Sequence, residues 1–182
     1  MDIILEIDKL QFNPVSRTDD ISKLAHMAKE IWEEHYTPII GKDQVNYMVE
    51  KFQSESAIIQ QIKDNHSYFT VIRDNHPIGY LCYIKKNKIN SLFLSKIYLK
   101  KPFRRMGCGR QMIQFVIQQA SKLKCQSITL TVNKYNKNTI LAYQKLGFIQ
   151  KRELVIDIGN GFVMDDFEMS YDLNSNSTTF ST

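Results

Sequence analysis

The sequence predicts an α/β fold: one domain around a mixed, mostly antiparallel sheet of about seven strands flanked by helices. Three observations carry this expectation. The apolar residues of the first third recur at helical spacing, and from residue 68 onward β-branched and aromatic runs take over. The segments then follow the order strand, helices, three strands, helix, strand, helix, two strands, with no repeat or linker between them. The last two strands flank Gly159-Asn160-Gly161, a strong hairpin signal.

Residues 3–12 read as the first strand, closed by Asn13-Pro14. Asp19 or Asp20 caps a helix whose stripe is Ile21, Leu24, Ala25, Ala28, Ile31 and Trp32. Tyr36-Thr37-Pro38 is expected to end it, because a residue before proline avoids the helical region. Further helical segments cover 43–52 and 54–63. Residues 68–73 form a strand, Asp74-Asn75-His76-Pro77 a turn, and 78–84 the next strand. After a polar turn over 85–90 comes a strand over 92–99. Met112, Ile113, Val116, Ile117 and Ala120 mark an amphipathic helix, and 127–132 alternates as a half-buried strand does. Residues 136–146 form a helix stopped by Gly147, and 149–158 and 162–172 are the hairpin strands. The domain spans 1–173, and 174–182 is a polar, flexible tail.

A chain of 182 residues, 43% hydrophobic and 24% charged, has the profile of a soluble globular protein. No apolar run approaches the ~18 residues of a membrane span. The opening Met-Asp-Ile-Ile-Leu-Glu has no basic region before an apolar core, so no secretory signal is expected. Cys82, Cys108 and Cys125 lack Cys-x-x-Cys spacing, and the histidines lack pairing at i,i+4. That pattern fits reduced thiols in a cytoplasm and gives no metal site.

The net charge of +5 is focused rather than spread. Lys96, Lys100, Lys101, Arg104, Arg105 and Arg110 crowd one window without an acid among them. Within it, Arg104-Arg105-Met106-Gly107-Cys108-Gly109 lies between the strand over 92–99 and the amphipathic helix. Glycines let a backbone approach an anion, and the first amides of a helix have no internal partner. The window therefore favours a small polyanionic ligand over nucleic acid. Met112 follows where a dinucleotide fingerprint needs glycine, and no Gly-Lys-Ser/Thr exists for a nucleotide P-loop.

These residues resemble the GNAT superfamily of acyl-CoA-dependent N-acetyltransferases. Its cofactor motif, Arg/Gln-x-x-Gly-x-Gly/Ala between a strand and a helix, is matched by Arg104, Gly107 and Gly109. Its second motif, Asn followed by Ala, Tyr and Gly-Phe, is matched by Asn136, Ala142, Tyr143, Gly147 and Phe148. The likeness covers roughly residues 67–172. It implies a cytoplasmic enzyme, commonly a homodimer, that moves an acetyl group from acetyl-CoA to an amine and releases CoA. The cofactor pyrophosphate would lie on the amides of Arg105, Met106, Gly107, Cys108, Gly109 and Arg110, and the pantetheine arm would pair with Ile97, Tyr98 and Leu99. Asn136 and Lys145 are further implied cofactor contacts. Cys108 reads as a small filler.

Tyr143 occupies the position of the family's general acid, and a phenol of ordinary pKa ~10 holds its proton at neutral pH. Many relatives carry a Glu on the strand before the glycine turn, whereas 92–99 contains no carboxylate. The base is thus open among Asp165, Asp166, Glu33, Glu34, His35 and a water chain. Trp32, His35, Tyr36 and Tyr47 lie in the helices that shape the acceptor pocket in this family. The pattern is similar to polyamine acetyltransferases and equally to enzymes that modify protein N-termini, with a small amine favoured. The missing strand carboxylate also suits a non-catalytic acyl-CoA-binding regulatory protein.

Overall fold

The computed structural model describes residues 9–174. The elements in order are β1 (Gln11–Pro14), α1 (Thr18–Ile40), α2 (Lys42–Gln53), α3 (Glu55–Lys63), β2 (Ser67–Arg73), β3 (His76–Lys86), β4 (Ser91–Leu99), α4 (Cys108–Lys122), β5 (Ser127–Asn133), α5 (Lys137–Lys145), β6 (Ile149–Gly159) and β7 (Phe162–Asp172). The strands form one seven-stranded sheet in the order β1-β2-β3-β4-β5-β7-β6. Every pair is antiparallel except β4–β5. The mixed α/β architecture expected from the sequence is the one observed.

Four local expectations shift, the first being that Arg17 rather than Asp19 or Asp20 stands at the N-cap of α1, with both aspartates inside its first turn. Of the strand over 3–12, residues 1–8 lie outside the described residues, and β1 begins at Gln11. Pro14 is tolerated in it because β1 is an edge strand with only β2 as partner. The tail beyond Asn174 also lies outside the described residues. Helix α1 runs through Pro38 and ends at Gly41, whose φ is 84° and whose N–H donates to the Thr37 carbonyl at 3.0 Å. A proline in a helix costs ~3 kcal/mol, but here it falls in the last turn. Continuing the helix packs Tyr36 and Ile40 against Trp32, Val45 and Met48. Finally, only Asp74 and Asn75 form the β2–β3 turn, with φ of 50° and 62°, the twisted two-residue hairpin turn; His76 and Pro77 belong to β3.

Two of the three apolar clusters sandwich the sheet. On one face Met112, Ile113, Val116 and Ala120 of α4 pack on Leu81, Tyr83, Leu92, Leu94, Ile128 and Leu130. On the other, Leu24, Ala28 and Ile31 of α1 and Ile58 of α3 pack on Tyr68, Tyr80 and Cys82. The β6–β7 hairpin reaches back to α2, where Tyr47 donates to the Ile158 carbonyl at 2.6 Å and Gln44 to the Val163 carbonyl at 2.7 Å.

The sheet opens at its centre. β4 and β5 pair only over Ser91–Ser127, Leu92–Ile128 and Phe93–Thr129. Beyond that point β4 continues to Leu99 with no strand on its β5 side. The divergence coincides with a bulge, because Cys82 opposes Lys96 while Tyr83 opposes Leu94, leaving Ser95 as the extra residue. Up to the bulge Leu92 and Leu94 face α4; after it Ile97 and Leu99 do. Lys96 and Tyr98 are thereby turned to the face covered by α1 and α3.

Gly79 holds this end of the sheet together. A Cβ there would lie 2.2 Å from the Tyr98 carbonyl oxygen. Backbone cannot yield as a side-chain tip can, so Gly79→Ala is expected to cost about 3 kcal/mol. Thermal unfolding should show a Tm lower by about 5–10 °C.

Candidate active site

The divergence of β4 from β5 leaves one large cavity of about 1430 Å³. Its walls are the bulged stretch of β4, the C-terminal half of β5, the glycine turn, the start of α5, the inner faces of α1 and α2, and β7.

At the glycine turn Arg105 and Gly107 have φ of 63° and 80°, and Gly107 stands at the N-cap of α4. The left-handed region costs a side-chain-bearing residue ~1–2 kcal/mol, so glycine is the natural occupant there. A Cβ built on Gly109 would meet nothing within 4 Å. Open space therefore lies directly over the first, unpartnered amides of α4. Arg105, Gly107, Gly109, Arg110 and Lys145 all line the cavity, as do Ile97, Tyr98 and Leu99. Met106 is exposed, and Cys108 is buried beneath the turn at 1% exposure. An unpaired strand edge leading to an open, cationic helix start fits an extended ligand that ends in phosphates.

Arg104 also lines the cavity, and its head group is engaged in bonds of its own. Its Nε donates to the Leu99 carbonyl at 3.0 Å and its terminal nitrogen to Glu34 at 2.7 Å, so it ties the end of β4 to α1. Lys101 stands 3.7 Å from the same carboxylate. His35 bridges the two sequence motifs: Nδ1 lies 3.4 Å from the Arg104 guanidinium and Nε2 lies 3.1 Å from the Asn136 amide. Burial, then the Arg104 charge, lowers the pKa of His35, which makes the ring neutral at pH 7. Asn136 is the N-cap residue of α5, yet its side chain makes no capping bond and turns to His35 instead.

A cluster of rings fills the space between. Trp32 and Tyr36 are 4.5 Å apart, Trp32 and Tyr98 5.5 Å, and Tyr36 and Tyr98 6.2 Å between centroids. Tyr36 and Tyr98 share a hydrogen bond. Tyr143 is only 8% exposed, packs on Phe148 at 5.5 Å, and lines the cavity. Burial raises its phenol pKa, and Tyr36 adds to the effect, so the hydroxyl keeps its proton throughout the neutral range.

The two adjacent aspartates of β7 part company. Asp165 pairs with Lys134 at 2.5 Å, away from the cavity wall. Asp166 is 7% exposed, lines the cavity, and shares a hydrogen bond with Thr131. Burial is the first cause that pushes its pKa up to about 6. Glu33 and Glu34 do not line the cavity, whereas Trp32, His35 and Tyr36 do. The sequence reading missed Gln53, Gln61 and Thr131 as lining residues, and gave Lys96 no role of its own. A lysine inside the apolar run Leu-Phe-Leu-Ser-Lys-Ile-Tyr-Leu was the available signal for the last.

A bulged strand that parts from its parallel neighbour, with a cationic glycine turn at the next helix, defines a protein that holds a long phosphate-bearing cofactor. Residues 24–148 match the acetyltransferase (GNAT) family, and the chain belongs to it. It is thus an acyltransferase whose cofactor is acetyl-CoA, and the open face of Gly109 and the free edge of β4 fit that group. Over 124 residues the chain is 25% identical to a protein of Bacillus subtilis subsp. natto named "Probable spermine N(1)-acetyltransferase", covering 63% of this chain and 79% of that one. The fold is similar to that of the PaiA N-acetyltransferase of Thermoplasma acidophilum, solved with coenzyme A (TM-score 0.73, 20% identity, 90% of this chain and 98% of that one). It is also similar to the dodecameric spermidine N-acetyltransferase of Vibrio cholerae (TM-score 0.67, 18% identity, 95% and 99% covered). Among the described residues no helix is long and apolar enough to cross a membrane.

Proposed function

We propose that the chain acetylates the primary amine of a small molecule by direct attack in a ternary complex. The observation that carries this reading is the single cavity in which the free edge of β4, the protonated Tyr143 and the buried Asp166 meet. Acetyl-CoA supplies the activated acyl group. Asp166 accepts the proton of an incoming ammonium, a task suited to a carboxylate whose pKa has been pushed up to about 6. The unpaired amides of β4 near Ile97 and Leu99 face the carbonyl oxygen as charge develops on it. Tyr143 returns a proton to the departing sulfur. Cys108, buried at the start of α4, takes no part.

Arg105, Arg110 and Lys145 hold the phosphates in this reading, while Arg104 and Asn136 position α1 and His35 against the turn. Trp32 and Tyr36 give the acceptor amine an aromatic wall. The names of the relatives make polyamines the first acceptors to try. The three free, buried cysteines support a reducing, cytoplasmic setting, and exposed Val155, Ile156 and Val163 on the last hairpin support a homodimer.

An acetyl-transfer screen over polyamines, amino acids, aminoglycosides and peptide N-termini, read by thiol release, tests the proposal. Release with a small amine is expected; tight acetyl-CoA binding with no transfer to any of them would identify an acyl-CoA-binding regulator instead. Filling the cofactor groove should separate binding from folding. Gly109→Leu is expected to weaken acetyl-CoA binding at least ~10-fold by calorimetry, while Tm holds or rises because glycine is ~0.5–1 kcal/mol unfavourable in a helix. Unchanged affinity would move the cofactor away from this turn.

A further inference from the structure

The charge inventory of the cavity selects among small amines. Of its described lining residues Asp166 is the only carboxylate, so one ammonium finds a partner there and a second does not. On the same face of the sheet, turned there by the Ser95 bulge, stands Lys96. It is 5% exposed and lines the cavity. One of its three N–H donors goes to Gln61 Oε1 at 2.5 Å, and the ammonium lies 5.2 Å from the centre of the Tyr68 ring. Gln61 is itself pinned, accepting from the Tyr68 hydroxyl at 2.6 Å and donating to the Phe52 carbonyl at 3.2 Å. Among the described residues no carboxylate pairs with Lys96. Burial lowers its pKa to about 8, which leaves it mostly charged at pH 7.

An uncompensated buried cation is costly, and a bound anion relieves that cost. A second ammonium in the same pocket adds to it. Between the two charges lies the aromatic cluster. Lys96 is two residues, ~7 Å, along β4 from Tyr98, whose ring is 6.2 Å from that of Tyr36, and Tyr36 feels the charge of Asp166.

We propose, on the reading that the chain is a small-amine acetyltransferase, that its acceptor is zwitterionic: a primary amine held at Asp166, an apolar body against Trp32, Tyr36 and Tyr98, and an acidic group held by Lys96. An extended polycation fits this pocket less well.

Three acceptors of equal length test it with acetyl-CoA and thiol release: 8-aminooctanoate, n-octylamine and 1,8-diaminooctane. Expected is a kcat/KM for the amino acid about tenfold or more above that of octylamine, with the diamine slowest. Lys96→Met should abolish the amino acid's advantage, and Lys96→Arg should restore part of it. Should the Met variant fail to fold, the wild-type order decides alone. The diamine turning over fastest, or the amino acid and octylamine turning over equally, overturns this inference and leaves acetyl transfer standing. Transfer to other amines of the wider screen but to none of these three does the same. No thiol release with any amine overturns both.

Discussion

The Tyr143→Phe variant should bind acetyl-CoA within about twofold of the wild type and turn over at least ~100-fold more slowly. The substitution keeps the ring that packs on Phe148 and removes only the hydroxyl. Burial keeps the Tyr143 phenol protonated through the neutral range, so the proton is in place at the departing sulfur, where a donor is needed. A purely structural tyrosine would give a lower Tm with kcat preserved. Calorimetry, steady-state kinetics and thermal unfolding on one preparation separate the two, and wild-type turnover in the variant takes Tyr143 out of the chemistry.

Asp166→Asn has the second largest expected effect, and it acts in opposite directions on activity and stability. The variant should lose at least ~100-fold in kcat/KM at pH 7. In the wild type, kcat/KM should rise with pH through about 6 as the carboxylate ionises, and the variant should lack that limb. The stability effect follows from linkage. The folded-state pKa of Asp166, about 6, lies above its ordinary 3.8, so folding favours the protonated form. Its contribution is full below about pH 3.8 and is lost as pH rises through about 6. At pH 8 the ionised group thus costs the fold about 2–3 kcal/mol, and the neutral amide, able to keep a bond to Thr131, removes that cost. The variant should melt about 5–10 °C higher at pH 8 and close to the wild type at pH 4. A lower Tm at pH 8, or an unchanged rate, contradicts the role.

Much of the cavity lining is legible in the sequence, because both motifs depend on local rules. Glycines at the turn and the helix start, a strand before them, and Asn136 and Tyr143 on the next helix are all set by neighbours in sequence. What escaped depends on single-residue shifts and on distant packing. Strict alternation along β4 would put Lys96 under α4 with Leu92 and Leu94; the bulge at Ser95 moves it to the other face, and nothing in Leu-Ser-Lys announces a bulge. Alternation along β7 separates Asp165 from Asp166, yet which of them faces the cavity is decided by Phe162 and Met164 packing near Trp32. Pro38 reads as a stop because its local cost is real, and it is overridden by the packing of Tyr36 and Ile40 on α2. Arg104 carries the family's motif position, but its bond to Glu34, 70 residues away, is a tertiary fact.

The proposed reaction is direct transfer within one cavity. Initial rates of thiol release, measured with acetyl-CoA and a turned-over amine both varied, test it most directly. Intersecting double-reciprocal lines, with no acetyl group left on the protein when the amine is omitted, are the predicted result. Parallel lines with an acetylated protein side chain would contradict it.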